Sequence, residues 1–315
     1  MSEFVPEQKC ERKADLAVRL CGVRLKNPVI AASGTFGFGR EYDALYDIGR
    51  LGGVSVKGLT LEPRCGNPPH RVAETASGML NSVGLENPGV DAFVSEHLPW
   101  LLEKRLTVIA NIAGSTVGDY CRIADKLAPT GVHMLEMNIS CPNVQSGGVA
   151  FGVRPETVYT VTRAVKQQAG QPLMVKLSPN VADIAENARA AEAAGADCIS
   201  LINTLTGVAV DAKRRRMVLA NNVGGLSGPA VKPVALRMVW QVYKAVGIPV
   251  VGMGGIMTGT DAAEFMLCGA QAVMVGTANF ADPLACPRIV RELEDYLVAQ
   301  KARKVGEIVG ALIEN

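Results

Sequence analysis

Two kinds of segment alternate along this chain. Short apolar runs, each ending in polar or glycine residues, recur as PVIAASG (28–34), GVSVKGLT (53–60), LTVIANIAG (106–114), HMLEMNIS (133–140), PLMVKLSP (172–179), CISLINT (198–204), PVVGMGGI (249–256) and AVMVGTA (272–278). Between most of them lie segments rich in Ala, Glu and Arg with helical spacing: 156–170, 181–197, 230–247 and 260–270. Continuous apolar strands alternating with amphipathic helices predict a parallel sheet buried on both faces. Eight such units predict an α/β fold closed into a (β/α)8 TIM barrel. An open doubly wound sheet usually has fewer strands and a GxGxxG turn after the first. Here the first run ends in Ser33-Gly34-Thr35, without that fingerprint.

The pattern also predicts a short N-terminal β-hairpin from Asp15–Leu20 and Val23–Leu25, turning at Cys21-Gly22. The longest connections are insertions after strands 2 (60–105) and 6 (205–248). No linker-like or low-complexity stretch divides the chain, so residues 1–315 read as a single barrel domain.

Composition narrows the picture further. At 315 residues and 48 % hydrophobic the chain can bury a large core, and a formal charge of +2 gives no reason to expect a nucleic-acid partner. Of the eight cysteines (Cys10, Cys21, Cys65, Cys121, Cys141, Cys198, Cys268, Cys286), no two form a CxxC and none lies in a His cluster, so no metal site is expected. The charged N-terminus and the lack of about 18 uninterrupted apolar residues predict a cytoplasmic protein with no membrane segment. Seven of the cysteines read as small core hydrophobes. The exception is Cys141, between Ser140 and Pro142-Asn143 at a strand end.

Barrel enzymes carry their chemistry at the C-terminal ends of the strands. Here those ends hold Ser33, Lys57, Asn111, Asn138, Lys176, Asn203 and Thr204, then Gly254-Gly255 and Gly276-Thr277. Lys57 and Lys176 sit inside apolar runs, where a cation needs a charged partner, and a ligand anion or cofactor would supply it. Glycines after strands 7 and 8 suit close approach of the backbone to a phosphate.

The motifs SVKGLT, PRCGNPPHRVAET, NSVGLENPG, NISCPNVQSGG, LINTLTG, GGLSGPAVKP, GMGGI and VGTANF resemble the dihydroorotate dehydrogenase family, and within it the class 1B catalytic subunits, over roughly residues 14 to 300. His70 stands where an arginine is expected, at a peripheral position. The resemblance implies a flavoprotein that binds FMN and oxidises (S)-dihydroorotate to orotate in de novo pyrimidine biosynthesis. The family's flavin positions match Ser33, Lys57, Gly58, Asn111, Asn138, Lys176, Ile202, Gly228, Gly254, Gly255, Gly276 and Thr277. Its substrate positions match Lys57, Asn81, Ser82, Val83, Gly84, Leu85, Asn138, Asn143, Asn203 and Thr204.

The chemistry agrees with these matches. Lys57 suits the substrate carboxylate, and the asparagines offer a donor and an acceptor on one planar group, as amide edges require. Lys176 suits the flavin N1–C2 edge, favouring the reduced anionic form. Cys141 is the expected base for the C5 proton, on a loop with Gly147 and Gly148 as candidate hinges.

The class 1B resemblance further implies an electron-transfer partner subunit carrying FAD and a [2Fe–2S] cluster that delivers electrons to NAD+, and a homodimeric core within a heterotetramer. Three alternatives stay open on the sequence. A class 1A enzyme would use fumarate. A dihydropyrimidine dehydrogenase would carry ferredoxin-type cysteine runs, which this chain lacks. A dihydrouridine-synthase-like RNA flavoprotein would need an added helical domain and a distributed basic face. Class 2 enzymes place serine at the base position. The basic run Lys213–Arg216 reads as a solvated or partner-facing loop.

Overall fold

The structure, a computed structural model, describes residues 14–139 and 151–315. Eight parallel strands close into a barrel in chain order. They are β1 Val29–Ala31, β2 Gly53–Ser55, β3 Thr107–Ile112, β4 Met134–Asn138, β5 Leu173–Lys176, β6 Cys198–Leu201, β7 Val250–Met253 and β8 Ala272–Val275. β8 pairs back onto β1, with Val273 opposite Val29 and Val275 opposite Ala31. Apart from Asn138, every residue of these strands is buried, which explains the absence of polar alternation in the apolar runs.

The expected helices are present at Pro155–Gln168, Ile184–Ala193, Lys232–Ala245 and Gly259–Leu267. Each turns a row three and four residues apart against the barrel, such as Val158, Val161 and Val165. The helices beginning after Thr116 and Thr258 carry reciprocal capping boxes with Asp119 and Asp261, each contributing about 1 kcal/mol.

The strands are shorter than the apolar runs, and the difference positions the site. Past β2, Val56 N still donates to Ile109 O (3.0 Å) and Leu59 N to Asn111 O (2.8 Å). Lys57 N instead turns to Gly37 O at 3.2 Å, breaking the ladder and bringing Lys57 to the barrel mouth.

Val18–Leu20 and Val23–Leu25 form the expected antiparallel hairpin. Gln271 Nε2 donates to Arg19 O (2.7 Å) and Cys21 Sγ to Asp197 O (3.1 Å). Residues 271 and 197 precede β8 and β6, so the hairpin packs at the N-terminal end of the barrel.

The two insertions combine at the opposite end, which local patterning does not reveal. Leu205–Val208, Val223–Ser227, Gly78–Asn81 and Val72–Thr75 form one antiparallel sheet in that spatial order. Gly225 permits this arrangement. A Cβ there would stand 2.0 Å from Thr204 Oγ1, so only glycine lets the sheet lie against the end of β6. The basic run lies at an exposed turn between Val210–Asp211 and Arg216–Met217, where Asp211 Oδ1 accepts from the Lys213 and Arg214 amides, each at 3.0 Å.

The cysteines divide. Cys198 and Cys286 are core residues, and burial pushes the Cys286 thiol up to about 12. Cys21, Cys121 and Cys268 are half-buried. Cys65 is exposed, against the expectation of a core hydrophobe, because it lies in the Pro- and Gly-rich insertion rather than on a barrel element. Cys10 falls outside the described residues. Among the described residues, no helix is long and apolar enough to cross a membrane.

Candidate active site

A cavity opens at the C-terminal mouth of the barrel, beneath the insertion sheet. Its wall includes every residue matched above to a flavin position, from Ser33 and Lys57-Gly58 through Asn111, Asn138, Lys176, Ile202 and Gly228 to Gly254-Gly255 and Gly276-Thr277. Asn81, Val83, Gly84, Leu85, Asn203 and Thr204 line it too.

Ser82 does not. It is 1 % exposed, and its hydroxyl accepts from Asn221 Nδ2 at 3.2 Å, so its side chain joins the two insertions instead of facing the cavity. Alternation along an extended chain accounts for this, since Asn81 and Val83 point one way and Ser82 the other. Cys141, Asn143, Gly147 and Gly148 lie outside the described residues. On either side of that segment, Gly152 N donates to Ile139 O at 2.9 Å, next to Asn138 on the cavity wall.

The asparagines are held by one another and by the backbone. Asn203 Nδ2 donates to Asn138 Oδ1 (3.2 Å), and Asn203 Oδ1 accepts from Thr204 N (2.8 Å). Tyr120 Oη donates to Asn138 O (2.7 Å), tying the end of β4 to a helix. Thr277 Oγ1 donates to Ser227 Oγ (2.8 Å), joining the end of β8 to the insertion sheet. Thus the wall is braced before any ligand arrives.

Behind the cavity wall lies a residue that none of the family motifs marks. Glu136 on β4 is fully buried inside the barrel. Its Oε2 accepts from Ser55 Oγ (2.6 Å) and Asn111 Nδ2 (2.7 Å), and its Oε1 from Ser200 Oγ (2.8 Å). Lys176 Nζ, in a residue only 6 % exposed, stands 4.0 Å from Oε1. The charged partner expected from a ligand is therefore supplied, for Lys176, by the protein itself. The signal in the sequence is an acidic side chain in the middle of the apolar run HMLEMNIS, a position that charged residues occupy only when paired.

The dihydroorotate dehydrogenase family model matches residues 15–297. The chain belongs to that family. It is 55 % identical over 300 residues to a protein of Alkaliphilus oremlandii named dihydroorotate dehydrogenase B (NAD(+)), catalytic subunit, covering 95 % of this chain and 99 % of the relative. Proteins of the same name in Geobacter metallireducens (54 % over 302 residues; 96 % and 99 % covered) and Bacillus pumilus (53 % over 296 residues; 94 % and 96 %) are similar along nearly their whole length. For this dihydroorotate dehydrogenase family member, the matched stretch contains all eight barrel strands and both insertions.

Proposed function

We propose that this chain is the catalytic subunit of an NAD+-linked dihydroorotate dehydrogenase, oxidising (S)-dihydroorotate to orotate with FMN in the barrel mouth. The observation that carries this reading is the convergence of all the family-matched flavin positions on one cavity. The relatives' shared name favours the NAD+-linked enzyme over a fumarate-linked one.

The cavity's residues fit FMN on three counts. Lys176 is a buried cation suited to an electron-rich ring edge. Asn111 is fully buried, lines the cavity and, among the described residues, has no hydrogen-bond partner for Oδ1, so a ligand N–H would satisfy it. Gly276 is spared a side chain although the protein would tolerate one, since a Cβ there would meet nothing closer than Ala32 Cβ at 3.7 Å. The space it leaves belongs to the ligand. Gly276→Val should therefore keep the folded circular-dichroism spectrum while weakening FMN binding about 10- to 100-fold, the range of 1–3 kcal/mol for overfilling a packed site. Unchanged affinity in a fluorescence titration would remove Gly276 from the cofactor site.

Bound FMN supplies the hydride acceptor. The chain's own residues then have separable tasks. Lys57 meets the substrate carboxylate, while Asn81, Asn138, Asn203 and Asn143 hold the amide edges of the ring. Cys141 takes the C5 proton. The insertion sheet limits access of water from above. Electrons leave through a partner subunit carrying FAD and a [2Fe–2S] cluster, docked on a homodimer of this chain to form a heterotetramer.

Steady-state dye reduction tests the reading. The purified subunit should reduce an artificial acceptor with dihydroorotate. Lys57→Ala should raise KM for dihydroorotate about 10- to 100-fold, as expected for losing a charge-assisted contact of about 1.5–3 kcal/mol. If the wild-type subunit shows no dihydroorotate-dependent dye reduction, the reading fails. If KM is untouched in the variant, Lys57 is not the carboxylate's partner.

A further inference from the structure

Glu136 is not on the cavity wall, yet it accepts a hydrogen bond from one residue that is, Asn111, and its Oε1 stands 4.0 Å from the ammonium of another, Lys176. Ser55, Glu136 and Ser200 come from alternate strands β2, β4 and β6, the arrangement by which one layer of side chains fills a barrel interior. Such layers are mostly apolar, so a fully buried carboxylate in this one needs a reason. Its contacts point in two directions. The two serines anchor it across the barrel. Asn111 and Lys176 connect it upward to the cavity.

We propose that Glu136 is a positioning residue for the cofactor pocket. Its carboxylate fixes the Lys176 ammonium in place and sets which end of the Asn111 amide meets the ligand. An ionised carboxylate can only accept hydrogen bonds, so the Asn111 Nδ2 group must face it. Asn111 Oδ1 is then presented as an acceptor, and the ligand must offer an N–H at that point. Gly58 accommodates this orientation. A Cβ there would lie 2.9 Å from Asn111 Oδ1, displacing the amide. The proposal rests on the flavin reading above, because it assigns Lys176 and Asn111 to the cofactor.

The sign of the change in flavin potential tests the idea. Glu136→Gln removes a negative charge behind the pocket. If the carboxylate were only a buried charge, its loss would stabilise the reduced, more negative flavin and raise the midpoint potential. If it holds Lys176 in place, its loss releases that ammonium and the potential falls. The expected result is a lower midpoint potential in spectroelectrochemical titration, with an FMN dissociation constant about tenfold higher. The fall should vanish when Lys176 is already methionine, since the two residues then act through one interaction. A potential that is unchanged or raised, or an equal fall in the Lys176→Met background, overturns the proposal. Should Glu136→Gln fail to fold, Glu136→Asp, which keeps the charge but shortens its reach, takes its place: a lowered potential again supports the role, and an unchanged or raised one overturns it. Wild-type protein that binds no FMN would overturn the flavin reading itself, and this proposal with it, whereas FMN-replete wild type beside an unaltered variant would overturn only the role of Glu136.

Discussion

Cys141→Ala should fold normally, retain FMN and lose about 10²–10⁴-fold in the rate of flavin reduction by dihydroorotate, the usual contribution of a positioned general base. The substrate must lose a proton from C5 as well as a hydride from C6, and the proton needs an acceptor on the face away from the flavin. A serine replacement should also be impaired, because a hydroxyl without a dedicated partner is a weaker base. In the wild type the reduction rate should rise with pH as the base loses its proton, and Cys141→Ala should lose that dependence. Stopped-flow absorbance under anaerobic conditions measures all three. Near-normal reduction in the alanine variant would remove Cys141 from the chemistry and require another base among the residues around Asn138.

The second large effect concerns the acceptor. The subunit alone should form essentially no NADH from dihydroorotate and NAD+, yet reduce dyes, and it should gain NAD+ activity when its partner is added. With FMN in the proposed site, a nicotinamide accepting electrons directly would compete with the substrate for the same cavity. A partner docked at another edge of the cofactor avoids that conflict. The chain's relatives are themselves named as catalytic subunits, which supports a divided enzyme. The assay is NADH formation, followed by absorbance, by protein purified free of any iron–sulfur companion. Robust NADH production by this chain alone would contradict the divided arrangement, and efficient fumarate reduction would move the chain to the fumarate-linked class.

The barrel is legible in the sequence because its strands are buried on both faces, so each appears as an unbroken apolar run whatever its neighbours. The helices are legible for the complementary reason, a single apolar face repeating at helical spacing. The insertion sheet is not, because it pairs Met79 with Ser227 and Asn81 with Gly225, contacts between segments far apart in the chain. The apolar runs overshoot the strand ends for a physical reason too. Lys57 continues an apolar run in sequence but leaves the ladder to enter the cavity.

Motifs mark the cavity residues, whereas they do not mark what holds them. Lys176 stands out in the sequence as a buried cation needing a partner, and the same logic applied to Glu136 joins the two. The parallel pairing of β4 with β5 sets Asn138 opposite Lys176 and Glu136 opposite Met174, and so brings the carboxylate to the ammonium. Ser82 shows the converse, a residue inside a matched motif whose side chain turns away to brace the insertions.

Whether this cavity holds FMN and oxidises dihydroorotate is decided by anaerobic absorbance spectroscopy of the purified chain. The preparation should be yellow, with about one FMN per chain, and adding one equivalent of dihydroorotate should bleach the flavin band while orotate accumulates in equal amount. Dihydrouracil and RNA should leave the band intact. A colourless protein that cannot be reconstituted with FMN, or a flavin bleached by dihydrouracil and not by dihydroorotate, would contradict the assignment.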